Sequence, residues 1–292
     1  MIEFQVYSFL FMTLLLAVLV FILPKGIKEH LTLLKLAKSG QTNDTPPLEK
    51  GVSTYFVNIA DILLIVLMLA ITGIAVAQFA NPSLEAASTS ASITFKSLMK
   101  NLTFQLFEII AILCIVCFRT NVITQFGLSK VPVKRMLKYV SLTLTSAWAF
   151  TALIMQAGYF EYLNDLLGTQ PLQSTVVFLQ ESSDYLLIAL LAVCACIGAP
   201  LVEELIFRGY LYPVIKHYTS ARFGIFFSAL FFSLIHFNFA AMPTLFLMGA
   251  MLAYAYEKTK TLWTPILAHF IFNSATVCFQ ILSRFTDINP AI

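Results

Sequence analysis

Charge is what this sequence has least of. Only 11% of its 292 residues are Asp, Glu, Lys or Arg, against roughly 25% in soluble domains. Hydrophobic residues make up 59% of the chain, and the mean hydropathy is +0.84. This excludes an ordinary soluble domain, and with a net charge of only +3 no nucleic-acid partner is expected. The five cysteines (Cys114, Cys117, Cys194, Cys196 and Cys278) all lie in apolar runs. Cys114 and Cys117 have CxxC spacing, but neither a second pair nor a nearby histidine completes a metal site. They read as small buried hydrophobes. HExxH is absent, as is any obvious internal repeat. The opening MIEFQ has an acid and no basic residue, and the apolar run at 6–23 lacks a small-residue cleavage signature. That run reads as a retained span, not a signal peptide.

What is present is a series of apolar runs. A transmembrane helix needs about 20 mainly apolar residues. Eight candidates emerge, at 6–23, 53–79, 102–118, 139–160, 185–206, 223–240, 243–256 and 262–282. The fold class expected is all-α, a polytopic membrane protein with about eight transmembrane helices. It divides into an N-terminal set of four spans and loops (1–184), a core of four spans (185–282) and a C-terminal tail (283–292). Basic residues mark the cytoplasmic side. Lys25, Lys28, Lys35, Lys38 and Lys50 fall on one side with Arg119, Lys130, Lys134, Arg135 and Lys138. Arg208, Lys216, Arg222, Lys258 and Lys260 join them. Only Lys96, Lys100 and Arg284 fall opposite. Both termini are therefore expected outside. Residues 39–47 read as a polar cytoplasmic linker and 81–95 as a polar external loop.

Ionisable groups inside spans are costly and mark function by default. They are Asp61, Glu108, Glu203, Glu204, Arg208, His236 and His269. Asp61 and Glu108 have no companion motif and read as packing or substrate-path groups. The others cluster late in the chain. Glu203 and His236 are equidistant from the Thr219–Ser220 junction. In an antiparallel hairpin they meet, each about 25 Å from the turn at 1.5 Å per residue. Glu204 and Arg208 stand at i, i+4 with the acid first, the favourable order for a helical ion pair. Glu203 points about 100° away from that pair. It has no evident basic partner, which suits a general base. His269 and Asn273 share one helix face, as do Phe232 and His236, whose ring can fix the imidazole.

Together these groups suggest hydrolysis. A carboxylate and an imidazole activate water, while a second imidazole and an amide stabilise an oxyanion. No cofactor is required. Divalent zinc on Glu203, His236 and His269 is a variant that is not favoured, since membrane zinc sites usually pair two close histidines.

The segments "EELIFR" (Glu203, Glu204, Arg208), "FSLIH" (Phe232 to His236) and "HFIFN" (His269 to Asn273) resemble the EExxxR, FxxxH and HxxxN signatures of the CAAX protease and bacteriocin-processing (CPBP, or Abi) family, which is related to the type II CAAX prenyl endopeptidase. The resemblance covers about 185–280. It implies an intramembrane helical protease fold, with Glu203 as the base activating water and His236 assisting. By the same matching, His269 and Asn273 form the oxyanion site, and Glu204 with Arg208 supports Glu203. The implied reaction is cleavage of membrane-associated peptides or prenylated proteins near the cytoplasmic leaflet of a plasma (inner) membrane. Members are often labelled metalloendopeptidases, although the mechanism expected here is metal-free. Two rivals predict other behaviour. A transporter would relay protons through these groups, and a non-catalytic immunity protein would act by contact alone.

Overall fold

The computed structural model describes residues 2–38, 51–54, 56–67, 94–129, 133–167, 174–236 and 238–285. The linker at 39–47, the second half of the span at 53–79, most of the loop at 81–95 and the tail beyond 285 lie outside the described residues. Among those described, the chain is helical throughout with no strand.

Helix α1 (Ile2–Ala17) passes through a π-helical turn (Val18–Ile22) into α2 (Leu23–Lys38). Next come α3 (Phe95–Cys117), α4 (Val133–Gln156) and α5, a single rod from Tyr185 to Tyr218. The core is completed by α6 (Ala221–Leu234), α7 (Met242–Thr259) and α8 (Trp263–Leu282). Four rods are long and apolar enough to cross a membrane by length and composition: Leu98–Cys117, Val133–Gln156, Tyr185–Tyr218 and Trp263–Phe285. Helix α6 is shorter, and α1 and α7 are not in that set. The count of eight expected from hydropathy is thus not reproduced among the described residues.

The fifth span, placed at 185–206 with a helical continuation through Arg208–Tyr218 left open, does continue and has 34 residues. At 1.5 Å each that is about 50 Å, against a hydrocarbon core of about 30 Å. Lys216 and His217 mark the Tyr218 end as the one that reaches the aqueous boundary. The sixth span, expected to run to 240, ends its helix at Leu234 and leaves His236 in a turn.

Three prolines shape the rods. Each π segment ends two residues before one: Ile22 before Pro24, Gly198 before Pro200, and Leu211 before Pro213. Proline has no N–H to give, and its ring crowds the carbonyl one turn back. Widening the helix by one residue relieves that crowding. The amides of Leu23, Ala199 and Tyr212 accordingly reach back five residues, to the carbonyls of Val18, Cys194 and Phe207.

Helices α5 and α6 form a hairpin whose turn is Thr219–Ser220, with Ser220 capping the Phe223 amide. Helix α7 packs closely on α6 because Gly249 lacks a side chain. A Cβ there would come within 3.1 Å of Ala229 Cα and Phe232 Cδ1. Near the turn of the hairpin Glu257 of α7 accepts from Lys216 Nζ (3.0 Å), Tyr212 Oη (2.8 Å) and the Val52 amide (2.9 Å). His217 sits between Thr54 and Glu29, each at 3.0 Å, and Lys25 Nζ donates to the Tyr218 carbonyl. The N-terminal helix is thereby tied to the core.

The cysteines depart from expectation. Cys194 is buried, but Cys114, Cys117 and Cys278 are exposed. Lipid tails are as apolar as a protein interior, so an apolar run does not tell an inner face from an outer one.

Candidate active site

The central group is Glu203, on α5 between the two π segments. Its side chain is 22% exposed, yet Oε2 is buried and has no hydrogen-bond partner. Two imidazole nitrogens converge on that oxygen: His236 Nε2 at 3.8 Å and His269 Nε2 at 3.9 Å. These separations exceed a direct hydrogen bond and suit one bridging water.

Both histidine tautomers follow from the opposite ring nitrogen. His236 Nδ1 lies 2.7 Å from the Phe232 carbonyl, a pure acceptor, so Nδ1 carries the proton. His269 Nδ1 lies 2.8 Å from Glu204 Oε1 and donates to it. In a neutral ring each Nε2 then has a lone pair facing Glu203, and a ring protonated at both nitrogens presents an N–H there instead.

Glu204 and Arg208 are both 0% exposed. Arg208 Nη1 donates to Glu204 Oε1 at 2.8 Å, and Nη2 donates to the Gly249 carbonyl at 3.0 Å. The guanidinium lies 4.5 Å from the Phe232 ring centroid, a cation–π contact. Phe232 also packs against His236 (4.7 Å between centroids) and His269 (5.7 Å). One ring thus braces the guanidinium and both imidazoles.

The sequence-predicted residues come together, with one difference in pairing. Glu204 was expected to support Glu203, but it grips His269 instead. A carboxylate behind an imidazole fixes its tautomer and stabilises its charged form, as in carboxylate–histidine pairs behind metals and nucleophiles. Sequence spacing gave the Glu204–Arg208 pair but carried no signal for this tertiary contact.

Asn273 Nδ2 donates to the Ala195 carbonyl at 2.9 Å. The proline explains why that carbonyl is available. In the π register the Ala199 amide serves Cys194, and the next donor in line would be Pro200, which has none. One N–H of Asn273 is committed to this contact, and the second remains for other work.

Two of the ionisable residues take separate places. Asp61 is fully buried and accepts from Arg119 Nη1 (2.6 and 2.7 Å), Tyr210 Oη (2.6 Å) and the Asn58 amide (2.7 Å). Glu108 is half-buried on α3, which packs on α5, and it lies within Coulombic reach of Glu203. Arg119, Tyr210 and Gly249 were not singled out from sequence. A tyrosine or glycine inside a span carries no mark of its partner.

Among the described residues, no three His, Cys, Asp or Glu side chains are grouped to hold a metal ion. The arrangement of Glu203, His236 and His269 gives the metalloendopeptidase variant no support.

A family model, Type II CAAX prenyl endopeptidase Rce1-like, matches residues 185–275. The chain is 29% identical over 147 residues to the putative membrane peptidase YdiL of Bacillus subtilis, covering 48% of this chain and 59% of that protein. It is 39% identical over 90 residues to the membrane-embedded CAAX protease MroQ of Staphylococcus aureus, covering 29% of this chain and 36% of that protein. The chain thus spans less than two thirds of either relative. No solved structure matches. The three motifs and the family match fall on the same stretch, so residues 185–275 are similar to the Rce1-like type II CAAX prenyl endopeptidases.

Proposed function

We propose that this integral membrane protein is an endopeptidase whose Glu203 activates water against a peptide bond within the bilayer. The observation that carries this reading is the buried, unpartnered Glu203 Oε2 facing the Nε2 atoms of two imidazoles at 3.8 and 3.9 Å. A water there donates one proton to Glu203 and the other to an imidazole, and its lone pair is free for a carbonyl carbon. Glu203 takes the proton as water attacks, then passes it to the leaving amine. His269, when protonated at both ring nitrogens and held through Nδ1 by the Glu204 carboxylate, donates from Nε2, and with the free N–H of Asn273 it stabilises the oxyanion while His236 accepts from the water. Arg208 holds Glu204, and Phe232 holds the rings. No metal is required. The substrates are membrane-associated chains, either CAAX-like tails or peptide precursors, cut near the cytoplasmic leaflet of a plasma (inner) membrane with both termini of the enzyme outside.

The test compares protein termini in membranes and secreted fractions from cells carrying wild type or Glu203→Ala at equal expression. Termini that vanish in the variant and return with purified wild type establish the protease and its cleavage site. Unchanged termini, with the variant folded, overturn the reading.

A further inference from the structure

Away from Glu203, a cavity of about 270 Å³ lies between the N-terminal helix, the Tyr218 half of α5, and α6. Its walls are stripes that recur every fourth residue. On α5 these are Leu211, Ile215 and Thr219, and on α6 Phe223, Phe227 and Phe231. Leu14, Val18 and Ile22 face them from the N-terminal helix. Eight residues of helix span about 12 Å, so the cavity is a slot running along the helix axes.

Its polarity is one-sided. The polar lining groups are Lys25, Thr219 and Ser220, all at the hairpin turn. Thr219 Oγ1 is spent on the Ile215 carbonyl, and Ser220 Oγ on the Phe223 amide. Lys25 is exposed and gives one of its three N–H groups to the Tyr218 carbonyl. It makes no ion pair with a described acid, and Glu29, one turn on, engages His217. An apolar slot attracts no water, and a cation at its rim attracts an anion. An amphiphile with an apolar tail and an anionic head satisfies both. Because the slot runs with the helices, the tail lies along the bilayer normal, as a lipid tail does.

We propose that this slot binds one acyl chain of an anionic phospholipid, with the lipid phosphate on Lys25. The chain's inner end meets Phe231, whose ring packs 5.9 Å from Phe207, the residue before Arg208. A bound lipid thus braces the wall behind the Glu203 cluster from a separate site.

The purified full chain, stripped of lipid in detergent, is titrated with phosphatidylglycerol and with phosphatidylcholine of identical acyl chains, and bound lipids are counted by native mass spectrometry. Wild type is expected to retain one phosphatidylglycerol with about fivefold preference, the scale of one basic residue at an anionic surface. Lys25→Gln removes the preference, and Ala17→Trp, which fills the slot, removes retention of both lipids. Equal retention of the two lipids by wild type overturns the proposal and needs no variant. So does one-for-one displacement of phosphatidylglycerol by farnesyl-cysteine, which would assign the slot to a substrate's own lipid.

Discussion

Helix α5 carries a buried acidic cluster on each side. Arg208 and Tyr210, two residues apart, face opposite ways. Tyr210 reaches Asp61, where each carboxylate oxygen receives two donors, from Arg119, Tyr210 and the Asn58 amide. Arg208 reaches Glu204, whose Oε1 has two donors while its Oε2 has none, next to Glu203 with its own bare Oε2. Buried polar groups are normally satisfied because an unmade hydrogen bond costs its full desolvation. A saturated acid such as Asp61 is a clamp. An acid left short inside a folded core is positioned for something that arrives later. The two clusters therefore offer a test of which polar groups hold the fold and which serve chemistry.

The largest effect is expected where both members of a pair are fully buried. Arg208→Met leaves Glu204 charged at 0% exposure and should cost about 3–5 kcal/mol, read by thermal unfolding in detergent. Adding Glu204→Gln removes the stranded charge and should recover most of that stability. Cleavage of a substrate found by the terminus comparison should nonetheless stay about 10–100-fold down, because His269 no longer has a carboxylate behind it. If stability and activity recover together, Glu204 is a clamp like Asp61, and the contrast between the two clusters fails.

A smaller effect is expected at Asp61. Asp61→Asn strands Arg119, but Arg119 is 23% exposed, so solvent screens part of the loss. The expected cost is about 2 kcal/mol in thermal unfolding, with turnover per folded molecule unchanged. A fall in turnover at intact stability would move Asp61 out of the structural class.

The sequence made one of these clusters legible and hid the other, for physical reasons. Hairpin symmetry about Thr219–Ser220 brought Glu203 to His236, and helical spacing brought Glu204 to Arg208 and Phe232 to His236. Both are local geometry that a ruler of 1.5 Å per residue can read. The Asp61 cluster joins residues 61, 119 and 210, and only tertiary packing supplies those partners. The grip of Glu204 on His269 was missed for the same reason. Span counting erred where hydropathy alone was asked to find helix ends. It placed the end of the apolar part of α5 at 206 and left the continuation to Tyr218 open, because Arg208 and Lys216 lower the local hydropathy, although Arg208 is buried against Glu204 and Lys216 is held by Glu257. Prolines commonly kink helices, and the chain has them at 24, 200 and 213. They instead set π segments that keep the rods continuous.

The smallest expected effect separates two uses of Asn273. Its amide holds the Ala195 carbonyl, which lacks a backbone donor because residue 200 is proline. Asn273→Ala should therefore cost about 1 kcal/mol of stability for the lost bond. Pro200→Ala restores an N–H in register with that carbonyl, so the same Asn273→Ala change should cost less in that background. A double-mutant cycle on thermal unfolding measures the coupling. Turnover gives the other half of the answer. If Asn273 serves the oxyanion with its second N–H, activity stays low in the double variant even as stability returns. If stability losses simply add, the Ala195 contact contributes nothing that Pro200 made necessary. If turnover returns with stability, Asn273 belongs with Asp61 among the clamps, and His269 is left as the oxyanion donor.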